Sequence, residues 1–168
     1  MPTDATALPE GPLIPAEEVP FLQSGLAMGA SSCDAALRPS TGRVLACRIS
    51  ADRRRFTAIL CASRCPDLLR DIRATGKLAV ISCQVGINRS LQLKGTDAHI
   101  GAIEPQDLGL LAAQTSAFAA DVVHYDALPE EMIRAYIHFE VHDLVAVSFT
   151  PAAVFLQTPG PAAGTLIA

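Results

Sequence analysis

The chain is poor in aromatic and charged residues. It has no Trp, its aromatic residues make up 5%, and its charged residues make up 18%. Half of its 168 residues are hydrophobic, which excludes a disordered chain and is enough for a core. Lys and Arg number 13 against 17 Asp and Glu, a net charge of −4. This balance lacks the basic excess that nucleic-acid binding requires, so we expect no nucleic-acid partner.

Long apolar runs are absent too. No run approaches the roughly 18 residues of a membrane-spanning helix, and the richest stretches, such as residues 144–149, are short. Residues 1–20 contain four acidic residues and no Lys or Arg, unlike a signal or transit peptide. We therefore expect no membrane partner and a cytoplasmic location.

The cysteines do not form a disulfide pattern. There are five, an odd and scattered set, which argues against a disulfide framework. Most are expected to be small buried hydrophobic residues of strands. A reactive thiol needs a cationic neighbour, and Cys65, which follows Arg64, is the one candidate.

Hydrophobic periodicity and turn signals predict a mainly antiparallel β protein. Helices are predicted at residues 15–23, 66–75, 105–123 and 129–136. Candidate strands, of which we expect six or seven, are residues 26–32, 43–50, 55–60, 77–84, 89–95, 97–103, 139–141, 145–149 and 154–156. Most connections read as hairpins, which favours an antiparallel barrel with flanking helices over a βαβ sandwich.

The domain organisation is simple. Residues 1–14 are acidic and rich in Pro, and they predict a flexible N-terminal arm. Residues 15–168 predict a single domain. Its last segment, residues 157–168, contains Pro and Gly that break both helices and strands, so regular secondary structure is not expected there.

A candidate anion site lies where a predicted strand meets a predicted helix. Ser63 and Arg64 directly precede the helix that begins near Pro66. A hydroxyl, a guanidinium and the free amides of a helix N-terminus can together bind phosphate. The alternative is that Ser63 is an ordinary N-cap and Arg64 a solvated charge. Arg43 and Arg48 lie on one predicted strand at an odd separation, so strict alternation puts them on opposite faces unless a bulge intervenes.

Three motifs, through their order and spacing along the chain, resemble a known family. Arg43-Val-Leu-Ala-Cys-Arg48 is followed after fourteen residues by Ser63-Arg64-Cys65, and later by Arg89-Ser-Leu-Gln-Leu-Lys-Gly95. In this order they resemble the flavin-binding signature of the pyridoxamine 5′-phosphate oxidase family, over roughly residues 25–103.

The resemblance implies an antiparallel split β-barrel of the FMN-binding type, a homodimer with FMN at the subunit interface. Eight residues would then contact the cofactor: Arg43 and Arg48 at its phosphate or ring edge, Val44 and Leu45 through their backbone, Ser63 and Arg64 at the phosphate, Ser90 at the ring, and Gln114 from the partner subunit. No catalytic residue is assigned.

The chain departs from the family pattern at several of these points. Cys65 replaces a Lys, Ala58 and Ile59 replace a Tyr-Thr pair, and Ser90 is shorter than the family's Gln. The Arg-x-His segment that binds the vitamin B6 substrate has no counterpart, so vitamin B6 oxidation is not expected. The cofactor alternatives that stay open are FMN, another flavin, a deazaflavin, or none retained.

Two functional hypotheses follow. The first is an FMN-dependent oxidoreductase that transfers a hydride or electrons to or from a small molecule. The second is a non-catalytic dimer that stores or senses a flavin or another small ligand. No metal site is predicted, because His138 and His142 have ligand spacing only on a helix, and the residues between them predict a strand.

Overall fold

The structure is a computed structural model that describes residues 13–168. It contains four α-helices in that range: α1 (Val19–Leu22), α2 (Pro66–Thr75), α3 (Pro105–Asp126) and α4 (Glu130–Tyr136). It contains nine strands in the same range: β1 (Ala27–Cys33), β2 (Pro39–Val44), β3 (Ala46–Ile49), β4 (Phe56–Cys61), β5 (Leu78–Cys83), β6 (Ser90–Gly95), β7 (His99–Gly101), β8 (Leu144–Phe149) and β9 (Ala153–Leu156). The prediction of a mainly antiparallel β protein with helices is confirmed.

The strands form two separate antiparallel sheets. One has the order β2-β1-β5-β6-β9 and the other β3-β4-β8-β7. Within residues 13–168 these ladders do not close into a barrel, so of the predicted antiparallel split β-barrel the structure shows two antiparallel sheets with helices. Two of the four edge strands form hydrogen bonds with other groups: the Gln114 side chain bonds the backbone of Cys47 on β3, and residues 164–168 bond to β9.

The predicted strand at residues 43–50 is divided between the two sheets. β2 pairs with β1 up to Val44, and β3 pairs with β4 from Ala46 onward. The chain crosses from one sheet to the other at Leu45, which is buried. The sequence did not predict β2 before residue 43, because its Pro, Ser, Thr and Gly are mostly poor strand formers.

A second prediction that fails is the strand at residues 139–141. Residues 138–140 have no regular structure, and Val141–Asp143 form a 3-10 turn. The turn brings the Asp143 carboxylate to Ser63, whose backbone N–H and hydroxyl both donate to it. A side-chain contact across 80 residues therefore outweighs the local strand preference.

The core has two parts that share β4. All six residues of this strand are buried, so burial does not alternate between its two faces. One part fills the space between the sheets, where the rings of Phe56 and Phe149 lie 5.6 Å apart. In the other part, α3 packs Leu111 and Phe118 on the outer side of β4 at Ile59.

Helix α2 closes one end of the first core. It begins at Pro66, buries Leu68 and Ile72, and ends at Gly76, as predicted. Gly76 adopts the left-handed conformation, with φ +65°, and a Cβ there would lie 2.5 Å from the Thr96 carbonyl oxygen.

The predictions for the N-terminal and C-terminal segments compare differently with the structure. Residues 1–12, most of the predicted arm, lie outside the described residues. Ile14, which the prediction places in the arm, is instead fully buried, and its N–H donates to the Arg53 carbonyl at 2.9 Å. The tail has turns and one isolated bridge, Phe155 to Leu166. Among residues 13–168 no helix is long and apolar enough to span a membrane.

Candidate functional site

A cleft of about 680 Å³ opens on the outward face of β1 and β2. The end of α4 and the turn before α2 form its walls. Its lining includes Gly29, Ser31, Thr41, Arg43, Arg64 and Tyr136. Two of the residues predicted to bind phosphate, Arg43 and Arg64, therefore meet at one cleft.

The floor of the cleft is open because of a glycine. Gly29 pairs with Arg43 on β2 and with Ile81 on β5, and directly opposed residues of neighbouring strands face the same side. A Cβ at Gly29 would meet only the Ile81 methyl group, at 3.6 Å. Gly42 differs, because a Cβ there would lie 2.8 Å from Cys65 and Leu68. Gly42 thus serves the packing of α2, whereas Gly29 leaves space in the cleft.

Arg43 carries an unpartnered buried donor. Its guanidinium carbon lies 4.4 Å from the ring centroid of Phe118 and 4.9 Å from that of Tyr136. Its Nε atom is buried and has no hydrogen-bond partner among residues 13–168. A buried donor without a partner is costly, and an anionic ligand in the cleft is a chemically suitable acceptor.

Arg64 approaches the cleft from the 3-10 turn Ala62–Arg64. It is exposed, and its Nη1 donates to the backbone carbonyl of Tyr136 at 3.3 Å. None of the ion pairs found in residues 13–168 involves Arg43 or Arg64. No carboxylate of residues 13–168 therefore lies within ion-pair distance of either arginine, although the charge of Arg64 helps to lower the pKa of the nearby Asp143.

Ser63, predicted to bind phosphate beside Arg64, is held by Asp143. Its hydroxyl donates to one carboxylate oxygen at 2.6 Å and its N–H to the other at 2.9 Å. These two hydrogen bonds lower the pKa of Asp143. Ser63 is not the N-cap of α2, a position that Cys65 occupies. Its predicted contact with phosphate stays a prediction.

Arg48 forms ion pairs at the start of α3, away from the residues that line the cleft. It donates to Asp107 and to Glu104, both at 2.8 Å, and the Asp107 side chain is fully buried. Asp107 and Glu104 also form the capping box of this helix. Burial opposes the charge of Arg48, but its hydrogen bonds and ion pairs to Asp107 and Glu104 outweigh it and raise the pKa of Arg48.

Gln114 is also engaged within the chain. Its amide accepts from the backbone N–H of Cys47 at 2.9 Å and donates to the Cys47 carbonyl at 2.7 Å. It thus takes the place of a neighbouring strand at the edge of β3. Its predicted contact with a cofactor in the partner subunit stays a prediction.

The other predicted contact residues are buried. Val44 and Leu45 are 0% and 6% exposed. Ser90 is buried too: its hydroxyl donates to the Asn88 carbonyl, and its N–H donates to the Thr158 hydroxyl. The structure therefore brings together Arg43 and Arg64, with Ser63 beside Arg64, and leaves the other predicted residues outside the cleft lining.

Cys65, the candidate reactive thiol, is buried. Its S–H donates to the Cys61 carbonyl at 3.1 Å, and burial raises its pKa to about 11. The cationic neighbour Arg64 does not lower this pKa, and Cys65 fits the expected role of a small buried hydrophobic residue. Ala58 and Ile59 are likewise fully buried in β4 and contribute no group to the cleft.

Comparison with known proteins finds similarity in structure alone. No protein-family model matches the chain, and no curated protein is similar to it in sequence. The crystal structure of HupZ from Group A Streptococcus matches with a TM-score of 0.54 and 15% identity, over 90% of this chain and all of the other. A putative pyridoxamine 5′-phosphate oxidase from Lactobacillus delbrueckii matches with a TM-score of 0.50 and 14% identity, over 85% of this chain and 93% of the other.

The chain has the pyridoxamine 5′-phosphate oxidase-like fold. The fold that the three sequence motifs imply is thereby confirmed. Within this fold, the sequence motifs did not identify Tyr136 or Gly29 as part of the cleft. Tyr136 is one of only two Tyr residues in the chain, and this scarcity was the available signal. No sequence signal marked Gly29, because its role depends on the register of three strands.

Metal ligands do not converge in the described part of the chain. Residues 13–168 contain no group of three or more His, Cys, Asp or Glu side chains placed to hold a metal ion. His138 lies 3.1 Å from Glu140 on the surface. The pair has no third ligand beside it.

Proposed function

We propose that this protein binds a flavin of the FMN type in the cleft at Gly29. The phosphate would contact Arg43 and Arg64, and the ring would lie over the open floor at Gly29. The observation that carries the proposal is the buried Arg43 Nε, which has no partner among the described residues. Arg64, which forms one long hydrogen bond to a backbone carbonyl, lines the same cleft.

The residues fit the phosphate better than they fit the rest of the cofactor. Two guanidinium groups with free donors suit a phosphate. Arg48, Ser63 and Gln114, however, already bond groups of their own chain. We therefore expect a site with fewer polar contacts than the sequence resemblance implies.

The first test measures FMN affinity in arginine variants. A charge-assisted hydrogen bond contributes about 1.5–3 kcal/mol, so Arg43→Ala and Arg64→Ala should each weaken FMN binding by about tenfold to a hundredfold. Arg54→Ala, an exposed arginine in the β3–β4 turn, is the matched control and should bind as the wild type does. Flavin fluorescence titration gives the affinity. Equal affinity in all four proteins would contradict the phosphate assignment.

A second test fills the floor of the cleft. Gly29→Val should abolish ring binding by filling the floor of the cleft, and the protein should stay folded because a Cβ there makes an ordinary contact with the Ile81 methyl group. Gly101→Val is the control, since Gly101 also lies in a strand and a Cβ there meets nothing within 4 Å. Riboflavin and FMN should both lose affinity in Gly29→Val alone. Retention of both ligands would place the ring elsewhere.

We propose further that bound flavin makes this protein an oxidoreductase with a small-molecule substrate, acting in the cytoplasm as a homodimer. When bound, the flavin supplies the hydride or electron transfer, while the chain positions it and stabilises negative charge. The test is oxidation of NADH or NADPH by the FMN-loaded protein with an added acceptor. Light scattering should give twice the 17.6 kDa chain mass.

The second candidate function is a non-catalytic ligand-binding protein. It is favoured by the engagement of Arg48 and Gln114 inside the chain, which leaves few groups to act on a reactant. This candidate predicts tight flavin retention with no turnover of either nicotinamide donor. Turnover that depends on Arg43 would exclude it.

A further inference from the structure

Tyr136 contacts both arginines of the cleft. It is the last residue of α4, it is 58% exposed, and it lines the cleft. We propose that Tyr136 is the positioning residue that holds Arg43 and Arg64 in the geometry that receives an anionic phosphate arm. This inference rests on the proposed function.

The ring of Tyr136 acts on Arg43. An arginine side chain without an ion pair samples many rotamers, and ordering it on ligand binding costs conformational entropy. Here the Arg43 guanidinium packs against two aromatic rings, the buried Phe118 and the exposed Tyr136. Such contacts use the positive charge and the π face of the ring. They leave the in-plane N–H groups of Arg43 available as donors.

The backbone of Tyr136 acts on Arg64. The bond from Arg64 Nη1 to the Tyr136 carbonyl is long, at 3.3 Å, and exposed. It occupies one of the five N–H groups of the guanidinium. It therefore directs Arg64 toward the cleft while most of its donors stay free for a phosphate, whose charge-assisted bonds are shorter and stronger.

The hydroxyl of Tyr136 has no part in this arrangement. The residue contacts the two arginines through its ring and its carbonyl. Phe at this position should therefore retain the function, whereas Leu should lose the ring contact and keep the carbonyl. This contrast separates positioning by the ring from a direct polar contact between the Tyr136 hydroxyl and the ligand.

The test compares FMN and riboflavin, which differ by the phosphate. Tyr136→Leu should lower FMN affinity by about threefold to tenfold, the range of one cation–π contact. It should leave riboflavin affinity unchanged, and Tyr136→Phe should bind both as the wild type does. Tyr125→Leu is the matched control, because Tyr125 is half-exposed on α3 and its ring packs at Gly86, away from the cleft.

A second readout needs no ligand. The ring of Tyr136 should shift the Arg43 Nε–H resonance in the free protein, with assignment from Arg43→Lys. This shift should vanish in Tyr136→Leu and persist in Tyr136→Phe and Tyr125→Leu. If wild type binds no FMN, the proposed function fails, and this resonance alone decides whether Tyr136 positions Arg43.

Three results would overturn the inference. The first is unchanged FMN affinity in Tyr136→Leu while the wild type binds FMN. The second is an equal loss of FMN and riboflavin, which would mean that the ring contacts the ligand directly. The third is an Arg43 resonance that does not respond to the loss of the ring.

Discussion

The two arginines at the ends of one short segment have opposite surroundings. Arg43 and Arg48 are five residues apart and were predicted to bind the same ligand. Arg48 meets two carboxylates, Glu104 and Asp107. Arg43 contacts two aromatic rings, and its Nε has no hydrogen-bond partner among residues 13–168. The chain crosses between the sheets at Leu45, so the same residue type forms ion pairs on one side and has the proposed binding role on the other.

The largest expected effect is the loss of stability when the buried ion pair of Arg48 is removed. Asp107→Ala leaves a half-buried guanidinium with one exposed partner and removes the capping box, so the free energy of unfolding should fall by about 3 kcal/mol. Urea denaturation measures it. Asp67→Ala, which breaks an exposed pair with Arg70, should cost at most about 1 kcal/mol.

Substitution of Arg48 itself tests whether this residue contributes to ligand binding. Arg48→Ala should lower stability and leave FMN affinity within about twofold of the wild type, in contrast to Arg43→Ala. If Arg48→Ala instead weakened FMN binding without lowering stability, Arg48 would contact the ligand, as the sequence predicted. The contrast between Arg48 and Arg43 would then not hold.

A smaller effect is expected at Gln114, which holds β3 beside Arg48. Gln114→Ala leaves the N–H and carbonyl of Cys47 without partners inside the core, which should cost about 2 kcal/mol of unfolding free energy. Gln106→Ala, on the exposed first turn of the same helix, is the control and should change stability little. Similar midpoints of urea denaturation for both variants would show that the clamp on β3 contributes nothing.

The smallest effect is a pH dependence near Arg64. Hydrogen bonds from Ser63 hold the pKa of Asp143 below its ordinary value, so the folded state binds this proton less readily than the unfolded chain does. The resulting stabilisation is present above about pH 4 and is lost as pH falls through the folded pKa. Ser63→Ala should bring the pKa of Asp143 closer to its ordinary value and flatten this dependence.

Urea midpoints measured from about pH 6 down to pH 2 check the Asp143 prediction. Ser116→Ala, on the exposed side of α3, should retain the wild-type profile. An unchanged profile in Ser63→Ala would mean that Ser63 does not hold Asp143, and would leave its hydroxyl free for a ligand at Arg64.

Local signals were sufficient where an element depends on its own residues. Helix α2 was predicted at its observed bounds because Pro66 opens it, Leu68 and Ile72 share one face, and Gly76 ends it. β4 and β8 were predicted because apolar β-formers fill them. β2 was missed in part, since its pairing with β1 depends on a partner strand and on the approach of α2 at Gly42.

The site was predictable only as a set of residue types. The motif spacing indicated that Arg43 and Arg64 belong together, and the cleft contains both. It could not indicate that Arg48, Ser63 and Gln114 have partners 56 to 80 residues away along the chain. Carboxylates such as Asp107 and Asp143 carry no local mark that distinguishes an ion-pair partner from a solvated charge.

Composition and motif order alone predict a mainly antiparallel β protein of the pyridoxamine 5′-phosphate oxidase-like fold and name Arg43, Arg48 and Arg64 as candidate binding residues. Hydrophobic patterning and turn residues act over a few positions, and the order of the chain preserves them. Which arginine stays available to a ligand depends on long-range contacts: Asp107 neutralises Arg48, whereas Tyr136 and Phe118 enclose Arg43 without consuming its donors. Those contacts exist only once the two sheets and helices α3 and α4 have packed together.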